Sequence, residues 1–186
     1  MKFFDAVFEF LYPPKCIICE KLIPDYGYCD DCKGKITPIS EHQCSQCGLD
    51  DKNCECKKRI YHFDAIAAPY FNEGYAQQGV YDLKFSRKFY CLRPFGKEMA
   101  RAVKKNFGIE NIDLICCVPA KPESMYKRGF NQSDVFAREI SNILKIEYDK
   151  NLVKLIASRK TQHRLKTIED RFANVRNNYA VYKNVK

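Results

Sequence analysis

No stretch of this 186-residue sequence offers the roughly 20 consecutive apolar residues that a transmembrane helix needs, so that class is excluded. The hydrophobic opening MKFFDAVFEFLYPP is broken by Asp5 and Glu9, and no small-residue cleavage site follows it. That argues against a signal peptide and predicts a cytoplasmic, reducing setting, where cysteines stay thiols or bind metal. Arginine is missing from residues 1–56, which hold 6 Lys against 10 acids, a net of −4. Residues 57–186 carry the opposite balance, a net of +13. There is no Gly/Ser linker at that change, no internal repeat beyond it and no low-complexity tract. With 46% hydrophobic and 13% aromatic residues, wholesale disorder is also excluded.

What is present is cysteine, unevenly placed. Eight of the eleven lie between Cys16 and Cys56, and only Cys91, Cys116 and Cys117 lie beyond. The eight form four pairs: Cys16/Cys19, Cys29/Cys32, Cys44/Cys47 and Cys54/Cys56. A Cys-x-x-Cys turn aims two thiolates at one point, and a second pair completes a tetrahedron around Zn²⁺. Gly27 and Gly48 suit the tight backbone of such knuckles. Two zinc sites are therefore expected. First-with-second and third-with-fourth pairing is the simplest arrangement, a crossed one stays open, and His42 is near enough in sequence to replace a ligand beside Cys44. Four thiolates leave no open position for water, so the metal is read as structural, supplying the folding free energy of a short module. Cys91, Cys116 and Cys117 are read as small buried hydrophobes.

The expected division is residues 1–57, with a short amphipathic helix (Phe4, Val7, Phe8, Leu11) and the cysteine module, and residues 58–186, an α/β domain. In the second part FDAIAAPYFN (63–72), DLICCVP (113–119) and LVKLIA (152–157) read as strands, the middle one as a central parallel strand. Helices are predicted over 75–85 (weakened by Gly79), around Phe95–Phe107 and ended by Gly108, and from about Asp134. Tyr179–Val185 reads as the start of another strand. The loop PAKPESMYKRGFNQSD lies at a strand's carboxyl end, where open α/β sheets bind ligands. It offers Lys121, Lys127 and Arg128 as cations, with Asn131 or Ser133 to cap a helix whose N-terminus favours an anion. A second polar run, 158–178, reads as a cationic flap or a solvated helix–loop, and His163 within it as a surface residue. The strongly basic half suggests a polyanionic partner, though a solvated Lys-rich surface is the plainer reading. Tyr and Phe interleaved with Lys and Arg in YDLKFSRKFYCLRPF (81–95) could stack on single-stranded nucleic acid, but most of those rings are more simply core.

Taken together, the cysteine knuckles, YDLKFSRK, VPAKPESMYKRGFNQSD and TQHRLKTIEDRFANV resemble the ComF family of competence-associated, phosphoribosyltransferase-like proteins over almost the whole chain. The resemblance implies a double zinc-ribbon module on a type I phosphoribosyltransferase fold, a parallel sheet with helices. It implies a part in DNA uptake and natural transformation, handling incoming single-stranded DNA, with a competence helicase or DNA-processing proteins as partners. By the same resemblance Lys84, Arg128, Gly129, Asn131 and Gln132 are substrate-binding, as are Gln162, Arg171 and Asn174. Family members continue past a YAV strand into paired Asp and a Thr-Thr-Gly turn that cradles a 5′-phosphate. That segment does not occur in residues 1–186. The sequence is thus expected to be truncated, with Mg²⁺ and phosphoribosyl diphosphate bound only if the segment is restored, and glycosyltransferase-class catalysis is not expected of it alone. The alternatives are a non-catalytic, zinc-dependent single-stranded nucleic-acid-binding protein and an adaptor.

Overall fold

The structure is a computed structural model that describes residues 13–39, 43–50, 52–54, 56, 63–157, 167, 170, 173, 176 and 178–182. The chain divides into two compact units, residues 1–112 and 113–186. The N-terminal helix, the change of composition near residue 57, His42, and Gln162, His163, Arg171 and Asn174 of the polar run lie outside the described residues.

In the first unit, two cysteine knuckles repeat one backbone design. Cys16 N–H donates to Lys21 O (2.9 Å) and Glu20 N–H returns to Cys16 O (2.9 Å). Cys44 and Gly48 do the same, with Cys44 N–H to Leu49 O and Gly48 N–H to Cys44 O, both at 2.8 Å. The fifth residue of each turn is left-handed, φ 63° at Glu20 and 71° at Gly48. Glycine takes that conformation without steric cost, whereas glutamate is strained in it.

The apolar run 63–72 forms no ladder, contrary to its strand-like composition. It is held one bond at a time by the second knuckle and by residues 38–39, with a single antiparallel bridge between Pro38 and Tyr70. Ile66 N–H reaches Ser45 O (2.7 Å) and Ile39 N–H reaches Pro69 O (3.0 Å). Gln43 grips Ala68 with both ends of its amide, at 2.9 and 3.3 Å. Pro69 cannot donate to a ladder, which helps to explain the choice.

Two helices follow, α1 (Gly74–Ser86) and α2 (Leu92–Phe107), separated by a 3₁₀ turn at Phe89–Cys91. Gly108 ends α2 as its spacing predicts. Phe95 of α2, 2% exposed, takes Tyr70 edge-on at 6.1 Å between ring centroids. A Cβ at Gly79 would lie 2.5 Å from the Phe95 ring, so the glycine that lowers helix propensity is what lets α1 approach α2.

The second unit opens with residues 113–118, which form no continuous strand. Ile115 N–H bonds Glu147 O (2.8 Å) and Asp149 N–H bonds Ile115 O (3.0 Å), one parallel bridge between Ile115 and Tyr148. Helices α3 (Pro122–Arg128) and α4 (Gln132–Leu144) come next. Proline at the start of α3 removes no needed donor, and Gly129, at φ 80°, closes its end. Helix α4 starts two positions before Asp134, the expected start, because Asn131 is the cap.

Strand β1 (Val153–Leu155) pairs antiparallel with β2 (Tyr179–Val181), Lys154 opposite Ala180. Among the described residues this is the only ladder, so the expected parallel sheet is represented there by the single Ile115–Tyr148 bridge.

Candidate functional site

The knuckles converge in sequence order. Cys16, Cys19, Cys29 and Cys32 form one cluster, and Cys44, Cys47, Cys54 and Cys56 form the other, with sulfurs within 4.8 Å of one another in each. Zinc–sulfur bonds of about 2.3 Å at tetrahedral angles put sulfurs about 3.8 Å apart. Cys19 to Cys29 at 3.6 Å and Cys44 to Cys56 at 3.7 Å match that edge. The donor sets therefore fit zinc held by four thiolates, the closed tetrahedral sphere of a structural site.

The backbone prepares these sites for thiolate. Burial raises the Cys16 thiol, but amides of Cys19, Cys29 and Ile18 outweigh it and bring the group down to about 6. Amides of Gln46 and Cys47, with neighbouring thiols, bring Cys44 down to about 7. Burial pushes Cys32 up to about 12, so in a metal-free cluster the first thiolate forms at Cys16. The first cluster is also its module's core, with Ile18 and Ile23 packed against Cys16, Cys29 and Cys32.

A lysine from α1's C-terminal side ties into that module. Lys88 Nζ lies 2.5 Å from Glu20 Oε1 and 3.1 Å from Asp82 Oδ2, and Gln78 Nε2 donates to the other Asp82 oxygen at 2.9 Å. The bond from Lys88 holds Glu20 below its ordinary value, and the Glu20 carboxylate raises Lys88 in return. Glu20 thus occupies a backbone position suited to glycine while its side chain anchors the helix. Spacing alone carries no sign of this 68-residue contact.

The cationic loop is built around Asn131. Its Oδ1 accepts Ser133 N–H at 3.1 Å, capping α4, while its Nδ2 donates to Val118 O at 2.9 Å. One buried amide so joins the extended segment's end to the helix start. Arg128 donates to Gln132, which brings two of the expected substrate residues into contact. Gly129 sits between them as the α3 cap. Lys84 belongs to the other compact unit, on α1, with its Nζ 5.1 Å from the Phe85 ring centroid.

Beneath the loop lies a polar cluster absent from the sequence reading. Tyr148 contacts both Cys117 Sγ (3.3 Å) and Asp134 Oδ1 (2.5 Å), and Asp134 also meets Arg138 (2.8 Å) and Lys150 (3.4 Å). Burial would raise Asp134, but the Tyr148 hydroxyl, Arg138 and Lys150 outweigh it and hold the carboxyl low. Cys117 is buried as expected and so is Cys91, but Cys116 is exposed.

Comparison with known proteins adds to this geometry. A family model described as a double zinc ribbon domain matches residues 7–61. Competence protein F of Haemophilus influenzae is 25% identical over 169 residues, covering 89% of this chain and 69% of that protein. The DNA utilization protein YhgH of Escherichia coli is 24% identical over 161 residues, 81% of this chain and 70% of that protein. No solved structure matches. No helix among the described residues is long and apolar enough to cross a membrane. With a double zinc ribbon match at its N-terminal side and such relatives along most of its length, the chain resembles the ComF-family proteins.

Proposed function

We propose that this chain serves DNA uptake and utilisation as a phosphoribosyltransferase-like protein whose segment 119–131, with α3 inside it, receives a phosphate-bearing ligand. The names of its relatives support the process, and the observation that carries the site is the Asn131 brace. By tying Val118 O to the first turn of α4, it holds a loop bearing Lys121, Lys127 and Arg128 beside a helix N-terminus. Backbone N–H groups and the helix dipole there favour an anion, and a guanidinium has five donors, of which Gln132 uses one. Gln162, Arg171 and Asn174 complete this reading by resemblance. The eight clustered cysteines hold two structural zinc ions, and Mg²⁺ would accompany phosphoribosyl diphosphate only with the paired-Asp and Thr-Thr-Gly segment restored.

Calorimetric titration of the zinc-loaded full chain with inorganic pyrophosphate and Mg²⁺ tests the site. Saturable binding that Arg128→Ala weakens by about tenfold is expected. Absence of binding in the folded wild type, or indifference to Arg128→Ala, sinks the reading.

A further inference from the structure

Helix α1 is built the wrong way round for a helix that only packs. Its single acid, Asp82, is buried, paired with Lys88 and hydrogen-bonded by Gln78, while Tyr81 and Phe85 are 54% and 56% exposed. The two rings stand one helical turn apart with centroids 4.5 Å apart, tilted by 45°. They are not core, as the stretch 81–95 would more simply read; Leu83, Cys91 and Phe95 fill that role. Lys84 lies beside Phe85, and Arg87, exposed, follows at the helix end. With Asp82 turned inward, the outer face carries aromatic rings and positive charge together.

We infer that Tyr81 and Phe85 form a base-stacking platform for single-stranded nucleic acid, with Lys84 and Arg87 taking the flanking phosphates. Rings that each leave more than half their surface open offer a π-face to any base, so recognition is independent of sequence. The charge selects an anionic partner over an apolar or basic protein surface, and paired bases in a duplex hide the faces that would stack. The platform rests on the DNA-handling reading and gives it a second place on the molecule. Because Lys88 anchors the inner side of α1 to the first knuckle, the platform is held by the zinc ribbon.

The test uses the zinc-loaded full chain, a labelled oligothymidine of about 15 nucleotides, and an abasic strand of the same length, read by fluorescence anisotropy at low salt. The wild type is expected to bind the intact strand at least about 10-fold tighter than the abasic one. The double variant Tyr81→Leu/Phe85→Leu keeps helix propensity and apolar area but removes the π-faces, and should erase that gap. Its slope of log affinity against log salt should match the wild type, whereas Lys84→Ala should keep the gap and lower the slope by about 0.7. Equal binding of both strands by the wild type, or a gap that survives in the double variant, overturns the platform alone. Failure of the wild type to bind either strand overturns the DNA-handling reading beneath it. The wild-type comparison needs no substitution, so misfolding of a variant cannot mask the answer.

Discussion

At position 131 one amide side chain accepts from Ser133 N–H and donates to Val118 O, so two substitutions separate its two duties. Asn131→Ala removes the cap and strands a carbonyl, and should lower stability by about 2 kcal/mol in urea unfolding. Asn131→Asp keeps the capping oxygen and loses only the donor, so an intermediate loss is expected. Three residues on, Asp134 predicts a pH dependence. Its carboxyl is held below the ordinary value, so its contribution is fully present above about pH 4 and is lost as the pH falls through the lowered value. Thermal midpoints should therefore decline on acidification from about pH 5 to about pH 3. Asp134→Asn should lower the midpoint at neutral pH and flatten part of that decline. An unchanged acid limb would show that Tyr148, Arg138 and Lys150 do not favour the charged form.

Among the elements, α1 and α2 meet where Gly79 faces Phe95. Gly79→Ala would raise helix propensity by about 1 kcal/mol, yet its methyl would fall 2.5 Å from a rigid ring that is 2% exposed. Crowding should win, with a net loss of about 1–2 kcal/mol and a lower thermal midpoint. A gain in stability would mean that Phe95 can move aside. Three helix positions were legible in the sequence because apolar spacing and end residues act locally: α2 ends at Gly108, and α4 follows Asn131, whereas α3 lies in a segment read as a loop. The cysteine knuckles were legible for the same reason, since each turn brings its own pair together. The run 63–72 misled because apolar content marks burial, not pairing, and its bonds go singly to Ile39, Gln43 and Ser45, with one isolated bridge at Tyr70. Segment 113–119, read as a central parallel strand, contributes only the bridge at Ile115 among the described residues, because where its partners lie is a long-range matter. The Tyr148–Asp134 and Lys88–Glu20 contacts were invisible because packing alone creates them.

Across the whole molecule, the two ribbons are unequally protected. In the first cluster only Cys19 is exposed and the other three cysteines are buried, whereas all four of the second are half-buried. Under a competing chelator the second ribbon should release its metal first, giving two kinetic phases in a colorimetric zinc assay. Cys44→Ser should remove the faster phase and leave the slower. A single phase of two equivalents would show that the ribbons act as one site. The Lys88 bridge also bears on how such a protein can be recombined. Ribbons look interchangeable, since any four-cysteine fold with the right ends would join to the same helices. Here the incoming ribbon would have to present an acid where Glu20 stands, on a left-handed turn where its twin has Gly48. A transplant matched only on cysteine spacing would leave Lys88 with Asp82 as its one remaining carboxylate in that bridge, and would loosen α1 without touching a metal ligand. Compatibility between ribbon and helix is written in a salt bridge outside the zinc motif, and a chimera designed from the motif alone would inherit its metal but not its anchorage.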